Sequence, residues 1–293
     1  MPSITANGIT IEYETHGDPA GPPLLLIMGL GAQLTLWPVE LVEALTRRGY
    51  YVIRHDNRDI GLSEKFGHAG IPNFRRVALM RLFGIRARIP YRLTDMADDA
   101  AALLDALGIA RAHVVGASMG GMIAQLMAIH HPGKLLSMTS IMSTTGNPRL
   151  PRPRPEALKA LLNRAPPGAT VEQVIPIGIG VARAIGSPAY PASEERLRTR
   201  IASDFQRSFY PEGAARQISA IVDDGDRRKR LKKVAVPTLV IHGTDDPLVP
   251  IEGGRDTAAH IPGAKLIEVP GMGHDLPIEL VETIADAIAG HAR

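Results

Sequence analysis

The sequence predicts an α/β fold: a mostly parallel, eight-stranded sheet with helices on both faces and a helical cap inserted late in the chain. Three observations lead there. Short β-type runs alternate with helical patterns along most of the chain. The runs at 24–27, 51–54, 112–115 and 238–241 are the near-continuous apolar kind that a strand buried on both faces requires. From 144 to 233 helical patterns follow one another with no β-run between them.

The elements follow in order. Residues 3–6 and 9–13 flank Asn7-Gly8, and Asn-Gly between β-branched runs is the strongest short hairpin signal. A helix over 39–48 stops at Gly49, and another over 95–107 has Thr94 as its N-cap and Gly108 as its stop. A third, over 119–130, is ended by Pro132, and residues 278–289 close the chain as a helix. Residues 135–142 and 265–269 are weaker strand patterns. The Pro- and Arg-rich run 151–155 opens the cap, whose helical patterns cover 156–163, 171–185, 193–209 and 212–223. The domain division is therefore a core in two parts, 1–143 and 234–293, with the cap at 144–233.

Composition narrows the classes of function. Hydrophobic residues make up 45% and charged residues 22%, a balance that excludes disorder. Basic and acidic residues number 33 and 30, so the net charge of +3 points to no particular partner. Aromatic residues are 4%, too few for a nucleic-acid stacking platform. The absence of cysteine rules out disulfides and thiolate metal sites. His130-His131, being adjacent on a helix, diverge by about 100° and do not converge on one metal ion. The N-terminus carries neither the basic segment nor the apolar stretch of a secretory signal, and the longest apolar run is far shorter than a membrane span. The expectation is a soluble, cytoplasmic protein with no cofactor, no metal, no nucleic-acid partner and no integral membrane segment. A homodimer is compatible with all of this. One basic stretch, Arg75 to Arg92, holds six arginines and no acid, and reads as a lid or edge helix with a solvated basic face, the alternative being an amphipathic helix that lies on a membrane surface or binds anions.

The chemistry sits in a few loops. In Gly116-Ala117-Ser118-Met119-Gly120 a strand ends and a helix begins, with Ser118 at the turn. Such a turn lifts the hydroxyl clear of the sheet and sets it at a helix N-terminus, where free N–H groups favour developing negative charge. The pentapeptide alone is modest evidence. A serine hydroxyl also needs a positioned base, itself oriented by a third group. Downstream, Asp245-Asp246 follow the strand pattern 238–241, and His274 lies in the Gly-rich loop after 265–269. Both are strand-end loops, where an open α/β sheet builds its site. Order and placement select His274 from ten histidines, while either aspartate satisfies them.

Taken jointly, Met28-Gly29-Leu30-Gly31, the run from Asp56 to Ser63, the Ser118 turn, the run from His242 to Pro250, and Gly271-Met272-Gly273-His274 resemble the α/β-hydrolase superfamily. The resemblance is to its esterase branch that includes the aclacinomycin methylesterases, and it spans nearly the whole chain. It implies a serine carboxylic-ester hydrolase acting on small to medium hydrophobic esters, with a small-molecule ester as its partner. The family spacing Gly, two residues, Asp, three residues, Pro selects Asp246 between Gly243 and Pro250. The catalytic set implied is Ser118, Asp246 and His274, with the backbone N–H groups of Leu30 and Met119 as oxyanion hole. Gln33 and Trp37 would line the acyl pocket, with core packing an equal alternative for Trp37. Two departures from the family stand out: Met28 replaces the commoner His before Gly29, and Asp59 stands where many relatives have Gly. A cofactor-free haloperoxidase or perhydrolase, a carbon–carbon bond hydrolase, and a receptor on the same fold share these residues and remain alternatives.

Overall fold

The computed structural model describes residues 2–292. Its sheet holds the eight strands expected: β1 Ser3–Ala6, β2 Ile9–His16, β3 Pro23–Ile27, β4 Tyr51–His55, β5 Ala112–Ala117, β6 Leu135–Ile141, β7 Thr238–Gly243 and β8 Lys265–Val269. Their spatial order is β1-β2-β4-β3-β5-β6-β7-β8. β2 runs antiparallel to both β1 and β4, and the other pairs are parallel. The β1–β2 hairpin turns through Asn7 and Gly8, both at positive φ, with Ala6 opposite Ile9.

β3 shows why the sheet is central. Leu24, Leu25, Leu26 and Ile27 are all fully buried, and their alternating side chains feed two different cores. Leu25 and Ile27 join Val114 and Met138 under the helices α3 (Leu93–Ala106) and α4 (Met119–His130). Leu24 and Leu26 join Val52, Val115 and Ile241 on the other side, under α1 (Val39–Arg47) and the last helix, Val281–His291. Helices on both faces complete the layered arrangement.

Boundaries differ from expectation by a few residues: the closing helix starts at Val281, behind a 3-10 turn over Ile278–Leu280, and α3 shows a physical cause. α3 begins at Leu93, two residues before the expected Asp95, because the Asp95 carboxylate accepts from the Arg92 backbone N–H at 2.7 Å. Arg92 is therefore the N-cap, and Thr94 lies inside the first turn.

Between β6 and β7 the described chain is helical: α5 Pro155–Leu162, α6 Val171–Ile185, α7 Glu194–Arg207, α8 Pro211–Asp224 and the short α9 Arg228–Leu231. Its own apolar cluster is small, built on Ile179, Leu197 and Ile201. Within the basic stretch, α2 (Phe74–Leu82) is capped by Asn73, whose side chain accepts from the Arg75 and Arg76 N–H groups. It packs against α8, where Arg81 donates to the Asp224 carbonyl, while Leu79, Leu82, Phe83 and Ile85 remain exposed. Among the described residues no helix is long and apolar enough to cross a membrane.

Candidate active site

The chain steps from β3 outward to β4, then back across to β5, so the sheet order reverses between β3 and β5. An open α/β sheet builds its site at such a reversal, beyond the carboxyl ends of the strands. Ser118 follows β5 directly and has φ 55° and ψ −117°, a conformation that costs a non-glycine residue roughly 1–3 kcal/mol. Local contacts enforce it. Its N–H donates to the Ile141 carbonyl at 2.9 Å, and its carbonyl accepts from the Ser143 hydroxyl at 2.8 Å. A Cβ on Gly120 would overlap the Ile27 carbonyl, so only glycine lets α4 start this close to β3. A Cβ on Gly29 would lie 3.1 Å from the Ser118 Cβ, which places the loop after β3 directly against the serine.

Two strand-end loops complete the arrangement. His274 Nε2 is 3.0 Å from Ser118 Oγ, and His274 Nδ1 is 2.7 Å from Asp246 Oδ2. A carboxylate can only accept, so Nδ1 carries the hydrogen and Nε2 is free to accept from the serine hydroxyl. Asp246 Oδ1 accepts from the backbone N–H groups of Leu248 and Val249 at 2.9 and 2.8 Å. Burial alone would raise the Asp246 carboxyl. The interaction with His274, together with His242 and the Val249 N–H, overrides it and holds the group well below the usual carboxylate range.

Asp245 has different work. Its Oδ2 accepts from the Thr244 hydroxyl and from the Gly271 N–H at 3.0 Å, so it ties the β7 loop to the His274 loop. His242 was not singled out from the sequence. It donates through Nε2 to the Val249 carbonyl at 2.7 Å and lies 3.5 Å from Asp246 Oδ2. The His274 loop is also held from the cap: its backbone N–H donates to the carbonyl of Ile185, the last residue of α6, at 2.7 Å. Asp275 shares a short hydrogen bond with Ser187, and burial raises its carboxyl despite that bond.

The loop after β3 needs another brace where the family's histidine is missing. Asn57 donates to the Met28 carbonyl at 2.9 Å, Asp56 accepts from the Leu34 N–H at 2.8 Å, and Gln217 of α8 accepts from the Gly31 N–H at 2.9 Å. Among the described residues neither the Leu30 nor the Met119 N–H has an intramolecular acceptor. Gln33 spends its amide on the cap, donating to the Asp204 and Ser208 carbonyls and accepting from Arg207. Trp37 is fully buried among Leu24, Leu26 and Leu41. Asp59, at φ 72°, is buried and gripped by both arms of the Arg216 guanidinium at 2.7 and 2.9 Å, with the Tyr91 hydroxyl donating at 2.8 Å. The departure from glycine thus comes with a cap arginine that needs a carboxylate there.

Comparison with known proteins agrees with this architecture. A rhodomycin D methylesterase of Streptomyces peucetius is 32% identical, over 99% of this chain and 97% of its own length. A meta-cleavage product hydrolase from Pseudomonas fluorescens superposes with a TM-score of 0.77 at 22% identity, covering 99% of this chain and 97% of that one. The enol-lactonase from Burkholderia xenovorans gives 0.71 at 26% identity with the same coverage. Residues 22–279 match the family model described as the alpha/beta hydrolase fold, and the chain is a member of that enzyme family.

Proposed function

We propose that the chain hydrolyses carboxylic esters through an acyl-enzyme formed on Ser118. The observation that carries this reading is the unbroken line from Ser118 Oγ through the His274 ring to the Asp246 carboxylate, at 3.0 and 2.7 Å. Its likeness to methylesterases supports ester hydrolysis as the reaction.

In this reading His274 Nε2 takes the hydroxyl proton as Ser118 Oγ attacks the ester carbonyl. Asp246 keeps the ring in the right tautomer and stabilises the imidazolium that forms. The tetrahedral oxyanion lies between the Leu30 and Met119 N–H groups, the second of which also belongs to the first turn of α4. The imidazolium then protonates the leaving alcohol. Water, deprotonated by the same ring, releases the acid and restores the serine. Small to medium hydrophobic esters are the substrates.

The test is a panel of p-nitrophenyl esters on wild type and Ser118→Ala, with fluorophosphonate labelling followed by mass spectrometry. We expect labelling at Ser118 and loss of turnover in the variant. Retention of most esterase activity by Ser118→Ala would falsify the assignment.

A further inference from the structure

Three of the arginines that the cap turns inward are matched directly to carboxylates. Arg207 donates to Asp56, Arg216 grips Asp59, and Arg227 donates to Asp224. Arg200 sits in the field of Asp204 and Asp275. Arg164, just beyond α5, has no hydrogen bond or ion pair among the described residues, and its buried Nε has no acceptor. Burial, with no carboxylate to offset it, pulls its guanidinium below the ordinary range.

Its position is specific. The Nη1 and Nη2 atoms lie 2.8 and 3.2 Å from where a side chain on Gly31 would begin, beside the Ala214 Cβ. The missing side chain of Gly31 is the slot the guanidinium fills. Gly31 adjoins Leu30 and is two residues, at most about 7.6 Å, from Gly29, which touches Ser118. A guanidinium does not discharge itself by losing a proton, and a half-buried one with no carboxylate beside it offers an open position to an anion.

We propose that Arg164 binds a carboxylate carried by an otherwise hydrophobic ester, making the enzyme selective, among small to medium hydrophobic esters, for those that bear one acidic group; this rests on the Ser118 ester-hydrolase reading. The planar fork of the guanidinium matches a carboxylate, and one unassisted positive charge suits a monoanion better than a phosphate dianion. The carboxylate belongs to the acyl part or to the alcohol part, and these are separable by experiment.

The probes are p-nitrophenyl butyrate, mono-p-nitrophenyl glutarate with its carboxylate on the acyl side, and the butyrate ester of 4-hydroxybenzoate with its carboxylate on the alcohol side. We expect Arg164→Met to lower kcat/KM for one acidic ester by about 10–100-fold while leaving the neutral ester within about two-fold. Arg164→Lys should recover part of the loss, and the Met variant should melt no lower than wild type because it removes an unpaired charge. Glutarate itself, measured by calorimetry, should bind wild type and fail to bind Arg164→Met, a readout independent of turnover. Equal losses on neutral and acidic esters, or Arg164-independent behaviour with all probes including glutarate, would overturn the proposal. Failure of the Ser118 reading looks different: wild type would then turn over none of the esters and resist fluorophosphonate, whatever glutarate does.

Discussion

The sheet is filled by Leu24, Leu25, Leu26, Ile27, Val114, Val115 and Met138, whereas the cap adds charges and amides to the few apolar contacts made by Ala220 and Leu231. Arg207 to Asp56, Arg216 to Asp59, Gln217 to the Gly31 N–H and Thr35 to Asp204 all cross from one to the other. Apolar packing is dense and unforgiving of displacement. Polar attachments are directional, and they lose much of their strength when one partner changes. The difference teaches where each kind of task belongs. Ser118, Asp246 and His274 project from strand ends, on rigid ground. The cap's polar attachments hang on bonds that substitution, salt and pH can alter one at a time.

The largest expected effects test the rigid side. Ser118→Ala or His274→Ala should each lower kcat by on the order of a million-fold with little change in thermal unfolding. Asp246→Asn should cost about ten-thousand-fold by offering the ring the wrong tautomer. Asp245→Asn, which disturbs only a loop brace, should stay within roughly ten-fold in the same steady-state assay. If the neighbouring variants proved equal, the division between reacting and bracing carboxylates would be wrong.

The next two effects separate core from cap by stability. Arg216→Met leaves Asp59 buried without its partner and should cost about 3–5 kcal/mol in urea denaturation. Adding Asp59→Asn should restore part of that loss. Beneath the same loop, His55 is fully buried, and burial lowers its ring to about 4 from an ordinary 6.5, against a small opposing contribution from Asn57. Above pH 6.5 it is neutral whether folded or unfolded. As pH falls from 6.5 to about 4 the unfolded chain gains a proton that the native state refuses, so stability falls by about 3 kcal/mol. His55→Phe should flatten that limb of the stability–pH curve. Smallest is the Arg196–Glu40 fork between α7 and α1, at 2.8 and 2.9 Å but well exposed. Arg196→Ala should cost under about 1 kcal/mol, and the difference from wild type should shrink in 1 M salt.

Much of this was legible in the sequence wherever the cause is local. Four-residue apolar runs marked the buried strands, Asn7-Gly8 marked the hairpin, and the glycines around Ser118 marked a turn that allows no Cβ at position 120. What escaped depends on partners far along the chain. The brace on Gly31 comes from Gln217, and the Gln33 amide reaches the Asp204 carbonyl of α7, contacts that no local pattern shows. Local spacing also left Asp245 and Asp246 equivalent. They differ because Asp246 meets two N–H groups and a histidine, while Asp245 turns toward Gly271. The start of α3 moved because a carboxylate three residues on captured the Arg92 N–H, a competition that a Thr in the right place conceals.

The hydrogen bond from the His274 N–H to the Ile185 carbonyl has a mechanical consequence. It couples the end of α6 to the His274 backbone, so a displacement of that helix is carried straight to the ring that meets Ser118 and Asp246.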